Sequence, residues 1–155
     1  QNGLKEQSNH GLSSSNISLP GQELCRLGKG PSIPIAQKIS THFENLKKQK
    51  DIGLLDLNIS GCINACAHHH VANIGLLGVD RNGEEVYQIT LGGSGAEQAS
   101  IGNILGPAVA ADRVTHAVDA IVQAYLDNRL EDELFIDTYR RMGSKIFKEA
   151  VYGAC

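Results

Sequence analysis

Asn82-Gly83 stands between two runs in which apolar and polar residues alternate, and no other dipeptide constrains this chain as tightly. Two-residue hairpin turns favour Asn-Gly because both turn positions need left-handed dihedrals. The pattern predicts a strand over about Asn73 to Asp80, a tight turn, and a partner strand over about Glu84 to Leu91. Tyr87, Ile89 and Leu91 fall on one face of that partner. Upstream, Leu55, Leu57 and Ile59 alternate with Asp56 and Asn58, the pattern of a half-buried strand. Ile35, Ile39, Phe43 and Leu46 recur at helical spacing; Pro34 suits the first turn, and Lys47, Lys48 and Lys50 favour the end of the helix dipole. Beyond the hairpin, a Gly- and Ala-rich connector runs to Ala111, and Asp112 is the expected cap of a helix. Val114, Ala117, Val118, Ile121, Val122, Tyr125 and Leu126 form its apolar stripe, read as core. A shorter helix is expected from about Glu131 to Met142, ending at Gly143, with a last helical turn or two over Ser144 to Val151. The sum is an α+β fold: a mixed or antiparallel sheet with a hairpin, covered on one face by helices.

The chain has 155 residues, one domain's worth, and a chain of that size buries roughly 68–70% of its unfolded surface. Apolar residues make up 41% and charged residues 20%, which excludes a wholly disordered chain. Lys plus Arg number 14 against 17 for Asp plus Glu, so there is no electrostatic case for nucleic acid or a membrane surface. Apolar runs are too short for a membrane helix. Residues 1–18 are polar, without the layout of a signal peptide, and read as a flexible lead-in or torn edge before a domain over 19–155. With Gln first and no initiator Met, a fragment or processed product is expected. Four cysteines, Cys25, Cys62, Cys66 and Cys155, are too few and too uneven for a disulfide scaffold, which points to a reducing, cytoplasmic setting. Cys155, at the free terminus, reads as a small apolar residue rather than a ligand.

The chemistry concentrates in Ile59-Ser60-Gly61-Cys62-Ile63-Asn64-Ala65-Cys66-Ala67-His68-His69-His70. A strand ends at Gly61, and two cysteines follow four apart. A tight turn presents both sulfurs to one side, and thiolates are soft anionic ligands for an iron–sulfur cluster or zinc. Three readings stand: an iron–sulfur site, a zinc site built from Cys62, Cys66 and one histidine, or two buried cysteines that bind nothing. His68, His69 and His70 cannot all face one metal, because neighbouring side chains diverge.

The runs GCINACAHHHVANIGLLG, GEEVYQITLGGS and FIDTYRRMGSKIFKEAVYG resemble the C-terminal part of the sirohaem-containing nitrite/sulfite reductases, most closely the assimilatory single-chain hemoprotein kind. The resemblance runs from about Pro20 to Gly153. It implies a [4Fe–4S] cluster held by a Cys-x5-Cys pair and a Cys-x3-Cys pair, with the last cysteine bridging to the sirohaem iron. By position Cys62 and Cys66 are the second pair, and Cys66 is the bridging thiolate. Peptide N–H groups around Asn64 and Ala65 would hydrogen-bond the sulfurs. The resemblance also implies six-electron reduction of a small oxyanion, sulfite to sulfide or alternatively nitrite to ammonia. Ferredoxin would donate the electrons to a single-chain protein, and a flavoprotein subunit otherwise.

Two departures stand out. The family run Cys-Pro-Gly-x-x-x-Cys appears here as Leu19-Pro20-Gly21-Gln22-Glu23-Leu24-Cys25, so Cys25 matches the second member of its pair and Leu19 stands in place of the first. Leucine has no lone pair for iron, which leaves a three-iron cluster, a substitute ligand, a lost cluster or an altered sequence as readings. In the family, the Lys and Arg side chains that grip substrate come from the preceding half of the polypeptide, absent here; the 155 residues alone are expected to be inactive. No catalytic residue is assigned within them. A degenerate, non-catalytic module and a small zinc protein are the competing classes.

Arg26, Lys29 and Arg81 meet sirohaem carboxylates or solvent. His68, His69 and His70 bond a haem carboxylate or lie on an exposed turn. Gly92 and Gly93, in Gly92-Gly93-Ser94-Gly95, read as a close backbone approach to the macrocycle or an ordinary turn; Gln98 occupies the third-glycine place of a dinucleotide loop. His116 reads as a surface or core-edge residue, and Arg140 or Arg141 as a partner of Glu131 or Asp137. A seam left by the missing half is expected to favour self-association through an apolar patch.

Overall fold

A computed structural model of the protein describes residues 17–18, 32–61, 68–95 and 98–153. In chain order the elements are β1 (Ile17–Ser18), α1 (Ser32–Gln49), β2 (Leu57–Ser60), a 3₁₀ turn (His69–Val71), β3 (Ile74–Arg81), β4 (Glu84–Leu91), β5 (Asn103–Ile104), β6 (Val109–Ala110), a second 3₁₀ turn (Ala111–Arg113), α2 (Val114–Asn128), α3 (Phe135–Met142) and α4 (Lys145–Tyr152). The sheet order is β1-β2-β3-β4-β5, with β6 also on β4. β1, β2 and β3 run parallel, while β4 pairs antiparallel with β3, β5 and β6. The fold is therefore α+β with a mixed sheet, as expected.

The hairpin forms as its turn residues demand. Asn82 and Gly83 take φ of 58° and 85°, and the Asp80 carboxylate accepts the Gly83 N–H at 3.0 Å. Register then places Arg81 opposite Glu84 and Ile74 opposite Leu91. Because side chains alternate, Leu57, Ile59, Ile74, Leu76, Tyr87, Ile89 and Leu91 share one face, and all are buried. Against it pack Ile39 and Phe43 of α1, the α2 stripe, Phe135 of α3 and Phe147 of α4, in one continuous core. Phe135 lies between Tyr125 and Phe147, with ring centroids 5.4 Å from each. Such offset aromatic contacts add about 0.5–1.5 kcal/mol per pair beyond area burial. The Tyr125 hydroxyl is shared between the carbonyls of Ile52 at 3.1 Å and Glu133 at 2.8 Å.

Several expectations are corrected. β2 is buried on both faces rather than one, because the chain returning at His68 covers the side that carries Asn58 and Ser60. Ile17 and Ser18 are not loose lead-in: they pair with Asn58 and Ile59 of β2. The connector holds β5 and β6. Asp112 lies within a 3₁₀ turn and does not cap α2, whose N-terminal position is Arg113. α3 starts at Phe135, not Glu131, because Asp132 turns left-handed at φ 56° and the Glu133 carboxylate ties the turn to the helix. That carboxylate accepts from the Leu130 N–H at 3.0 Å and the Thr138 hydroxyl at 2.8 Å. Arg141 pairs with Glu133 at 2.8 Å, not with Glu131 or Asp137, and Arg140 donates instead to Gln98. Gly143 ends α3 at φ 76°, as expected.

The Arg141 guanidinium, then the Leu130 N–H, hold the Glu133 carboxyl down from 4.5 to about 2. A carboxyl with a depressed folded value stabilises the fold above its unfolded value and loses that contribution as pH falls. Glu133→Gln is therefore expected to flatten the acid limb of a plot of Tm against pH between about 4.5 and 2. Thermal melts followed by circular dichroism test this; parallel curves for parent and variant would contradict it.

Candidate metal centre

The site is built on the sheet face that carries no helix. Register places Asn58, Ser60, Gly75 and Thr90 on that face. The chain leaves β2 through the buried Gly61, and the described residues resume at His68, which takes the left-handed conformation at φ 52°. The six residues between, 62–67, carry Cys62, Asn64 and Cys66. These three, with Leu19, Cys25, Arg26, Lys29 and Cys155, lie outside the described residues.

Polar contacts tie His68 and His69, where the described chain resumes, to β2. His69, only 6% exposed, brings Nδ1 to 2.9 Å from the Ser60 hydroxyl. The Asn58 amide donates to the His68 carbonyl at 3.5 Å. The His69 carbonyl lies against Gly75, where a Cβ would stand 2.1 Å from it. Burial, then the neighbouring His70, lowers the His69 pKa below 6.5, so the ring is neutral at pH 7. The three histidines are thus not a uniformly exposed turn: His68 is exposed, His70 half-buried and His69 buried.

A second segment closes against this turn. Gly102 N–H donates to the His70 carbonyl at 2.7 Å, and Gly92 N–H to the Asn73 carbonyl at 3.1 Å. The Asn73 amide bridges, accepting from Asp56 N–H at 3.1 Å and donating to the Gly93 carbonyl at 3.0 Å. Ser94 and Ser100 exchange backbone hydrogen bonds, and the Ser100 hydroxyl donates to the Gly92 carbonyl at 2.8 Å. The close approach at Gly92 and Gly93 is made by this chain's own atoms. A Cβ at Gly92 would lie 2.2 Å from the Tyr139 ring, and one at Gly93 would lie 2.4 Å from the Ala72 carbonyl. Arg140 holds the far side of the loop through the carbonyl and side chain of Gln98, both at 2.9 Å. Arg81 is exposed at the hairpin end and His116 is exposed on α2, both away from the three-histidine turn in the fold.

The sequence assigned no role to Asn58, Ser60 or Asn73. Alternation reads a polar residue in a strand as outward-facing, and only the covering turn makes these positions interior. Among the described residues no three His, Cys, Asp or Glu side chains are grouped to hold a metal ion, and no helix is long and apolar enough to cross a membrane.

The donor set nonetheless suits a cluster. Cys62 and Cys66 occur on one six-residue segment, flanked by residues that a buried Ser60–His69 contact and a part-buried Asn58–His68 contact join. β1 and β2 are parallel, with Ser18 beside Ile59, so both strands run toward the same end of the sheet. Cys25 follows β1 in the sequence. Soft thiolates from these two stretches fit iron–sulfur chemistry, while Leu19 offers no donor.

The family model described as the nitrite and sulphite reductase 4Fe-4S domain matches residues 14–154. A ferredoxin sulfite reductase of Mycobacterium tuberculosis is 30% identical over 129 residues, covering 77% of this chain and 23% of its own length. An assimilatory ferredoxin-dependent nitrite reductase of Haloferax mediterranei is 27% identical over 124 residues, covering 77% of this chain and 21% of its own. Among solved structures, the NirA protein of Mycobacterium tuberculosis superposes with a TM-score of 0.69 at 26% identity, over 84% of this chain and 26% of that one. A dissimilatory sulfite reductase I shares the fold with a TM-score of 0.73 at 11% identity, over 89% of this chain and 52% of that one. The chain thus spans about a quarter of the curated relatives with which it aligns first. A match over nearly its whole length places this chain in the nitrite and sulphite reductase 4Fe-4S domain family.

Proposed function

We propose that these residues form the cluster-holding part of an assimilatory reductase of a small oxyanion, with sulfite as substrate. The observation that carries this reading is the Cys62 and Cys66 pair between flanks joined by the Ser60–His69 and Asn58–His68 contacts, in a chain of this family. Sulfite is favoured because the relatives from Mycobacterium tuberculosis and Nitratidesulfovibrio vulgaris are named sulfite reductases; the Haloferax relative supports nitrite as the second reading.

Cys25, Cys62 and Cys66 would hold the cluster irons, and Cys66 would also face sirohaem. Sirohaem, when bound, supplies the iron at which the oxyanion accepts six electrons one at a time. Peptide N–H groups near Asn64 would bond the sulfurs, which stabilises the reduced cluster and raises its potential. Gly92 and Gly93, whose Cβ sides are taken up by Tyr139 and Ala72, would border the macrocycle through their backbone. The side chains that grip the anion, and the docking surface for ferredoxin or a flavoprotein donor, would come from protein beyond these 155 residues. Free thiolates of this kind fit a reducing compartment, the cytoplasm.

Anaerobic reconstitution of the purified chain with ferrous iron and sulfide tests the reading. The expected result is about three iron atoms per chain, with acid-labile sulfide and broad brown absorbance. With sirohaem supplied and reduced methyl viologen as donor, no sustained sulfite or nitrite turnover is expected from this chain alone. A colourless, iron-free chain would overturn the cluster assignment, and sustained turnover would overturn the assignment of substrate binding to other protein.

A further inference from the structure

We propose that Ser60 and His69 form a latch across the neck of the cysteine segment, and that this latch positions the thiolates so that bound iron is retained. The inference rests on the cluster reading above and adds positioning residues that are not themselves ligands.

The geometry is specific. Ser60 is the second residue before Cys62, and His69 the third after Cys66. Their side chains meet at 2.9 Å, both buried, on the helix-free face of the sheet. The bond therefore closes a short loop whose two ends belong to different parts of the fold: one to β2, the other to the 3₁₀ turn. The Asn58 amide reaches the next carbonyl back, that of His68, and sets the turn at the same height on β2. Behind the turn, Gly75 lets the His69 carbonyl come down onto β3, where any larger residue would hold it off. Three neighbouring positions thus converge on one outcome, a fixed separation between Gly61 and His68.

A cluster gains from such fixing. Ligands held near their bound positions do not need to be ordered when the metal arrives, and partners behind the ligands commonly change metal affinity by about 10–100-fold. Both partners also serve the sheet, so a purely structural reading must be separated by a readout it would not move. A buried serine and a neutral imidazole could pair anywhere in a core; what marks this pair is its placement astride the two cysteines.

The experiment compares iron retention in the reconstituted full chain. Parent, Ser60→Ala, His69→Leu and the double variant are loaded anaerobically and mixed with excess ferrous chelator, and release is followed by absorbance. Each single variant is expected to release iron about 10–100-fold faster than the parent, and the double variant no faster than the singles, because either change opens the same latch. Far-UV circular dichroism confirms that each variant is folded. His69→Asn keeps a polar donor and acceptor near the Nδ1 position, offers a milder change should leucine prevent folding, and is expected to restore release close to the parent rate. Release from folded Ser60→Ala at the parent rate, additive effects in the double variant, or His69→Asn releasing as fast as His69→Leu would overturn the latch alone. A parent chain that takes up no iron would overturn the cluster reading and this proposal with it.

Discussion

Gly75→Ala is expected to lower Tm by roughly 6–12 °C, the largest effect of any single-methyl addition on the helix-free face. The added Cβ would stand 2.1 Å from the His69 carbonyl oxygen and 2.3 Å from the Thr90 hydroxyl. Neither neighbour can escape by a rotamer change alone: the nearest is backbone, and Thr90 on β4 is buried and donates to the Gly75 carbonyl at 3.4 Å. Overpacking of a closed site costs about 1–3 kcal/mol and occasionally more. The upper end applies here, because relief requires either the 3₁₀ turn to lift from β3 or the strand to shift against β4. At about 3 kcal/mol the drop in Tm follows from roughly 2–4 °C per kcal/mol for a chain of this length. Lifting the turn also separates His69 from Ser60, so the same variant should lose iron faster. Gly95→Ala is the control. Nothing lies within 4 Å of its added methyl and its φ is not left-handed, so Tm should stay level or rise slightly. Differential scanning calorimetry of the three iron-free proteins decides the matter; equal Tm values for Gly75→Ala and the parent would mean that the turn is not seated on the sheet.

That glycine illustrates what the sequence could not convey. The hairpin was legible because Asn82-Gly83 encodes its geometry locally, and the α2 stripe because six of its seven apolar positions face one buried side, the seventh, Leu126, lying partly buried at its edge. Local chemistry also announced the cysteine pair. Long-range packing announced nothing. Asn58 read as solvent-facing because Asp56 and Asn58 alternate with Leu55, Leu57 and Ile59, yet the turn at His68 and His69 covers it and the neighbouring Ser60. Glu131 and Asp137 read as the acids for Arg141, but Asp132 turns left-handed and Glu133 takes the pair instead. β5 and β6 are two residues each and are specified by pairing with β4 rather than by any periodicity of their own. The candidate centre follows the same division: its cysteine pair is written in one short motif, while the polar contacts joining the flanks of that motif come from β2 and the His68–His69 turn.

Leu19→Cys is expected to raise the iron content of the reconstituted chain from about three to about four atoms, with sulfide rising in step. The resemblance to the reductase family puts a cysteine where Leu19 stands, at the Cys-x5-Cys spacing from Cys25. Ser18 pairs with Ile59 in parallel register, so β1 and β2 run toward the same end of the sheet. A leucine side chain has no lone pair, and an iron corner without a thiolate is held only by its sulfides and exchangeable solvent. A thiolate at that position adds a soft anionic donor, completing the set that favours a four-iron cluster over a three-iron one. Because a ligating thiol must first lose its proton, the gain should grow as pH rises toward the ordinary cysteine range near 8.5. Iron and acid-labile sulfide counts, with electron paramagnetic resonance before and after reduction, distinguish the two clusters. Cys25→Ser in the same background should remove the gain, since it withdraws the other member of the pair. If Leu19→Cys leaves both counts unchanged while the parent holds three irons, position 19 does not reach the cluster, and the placement implied by the resemblance is wrong.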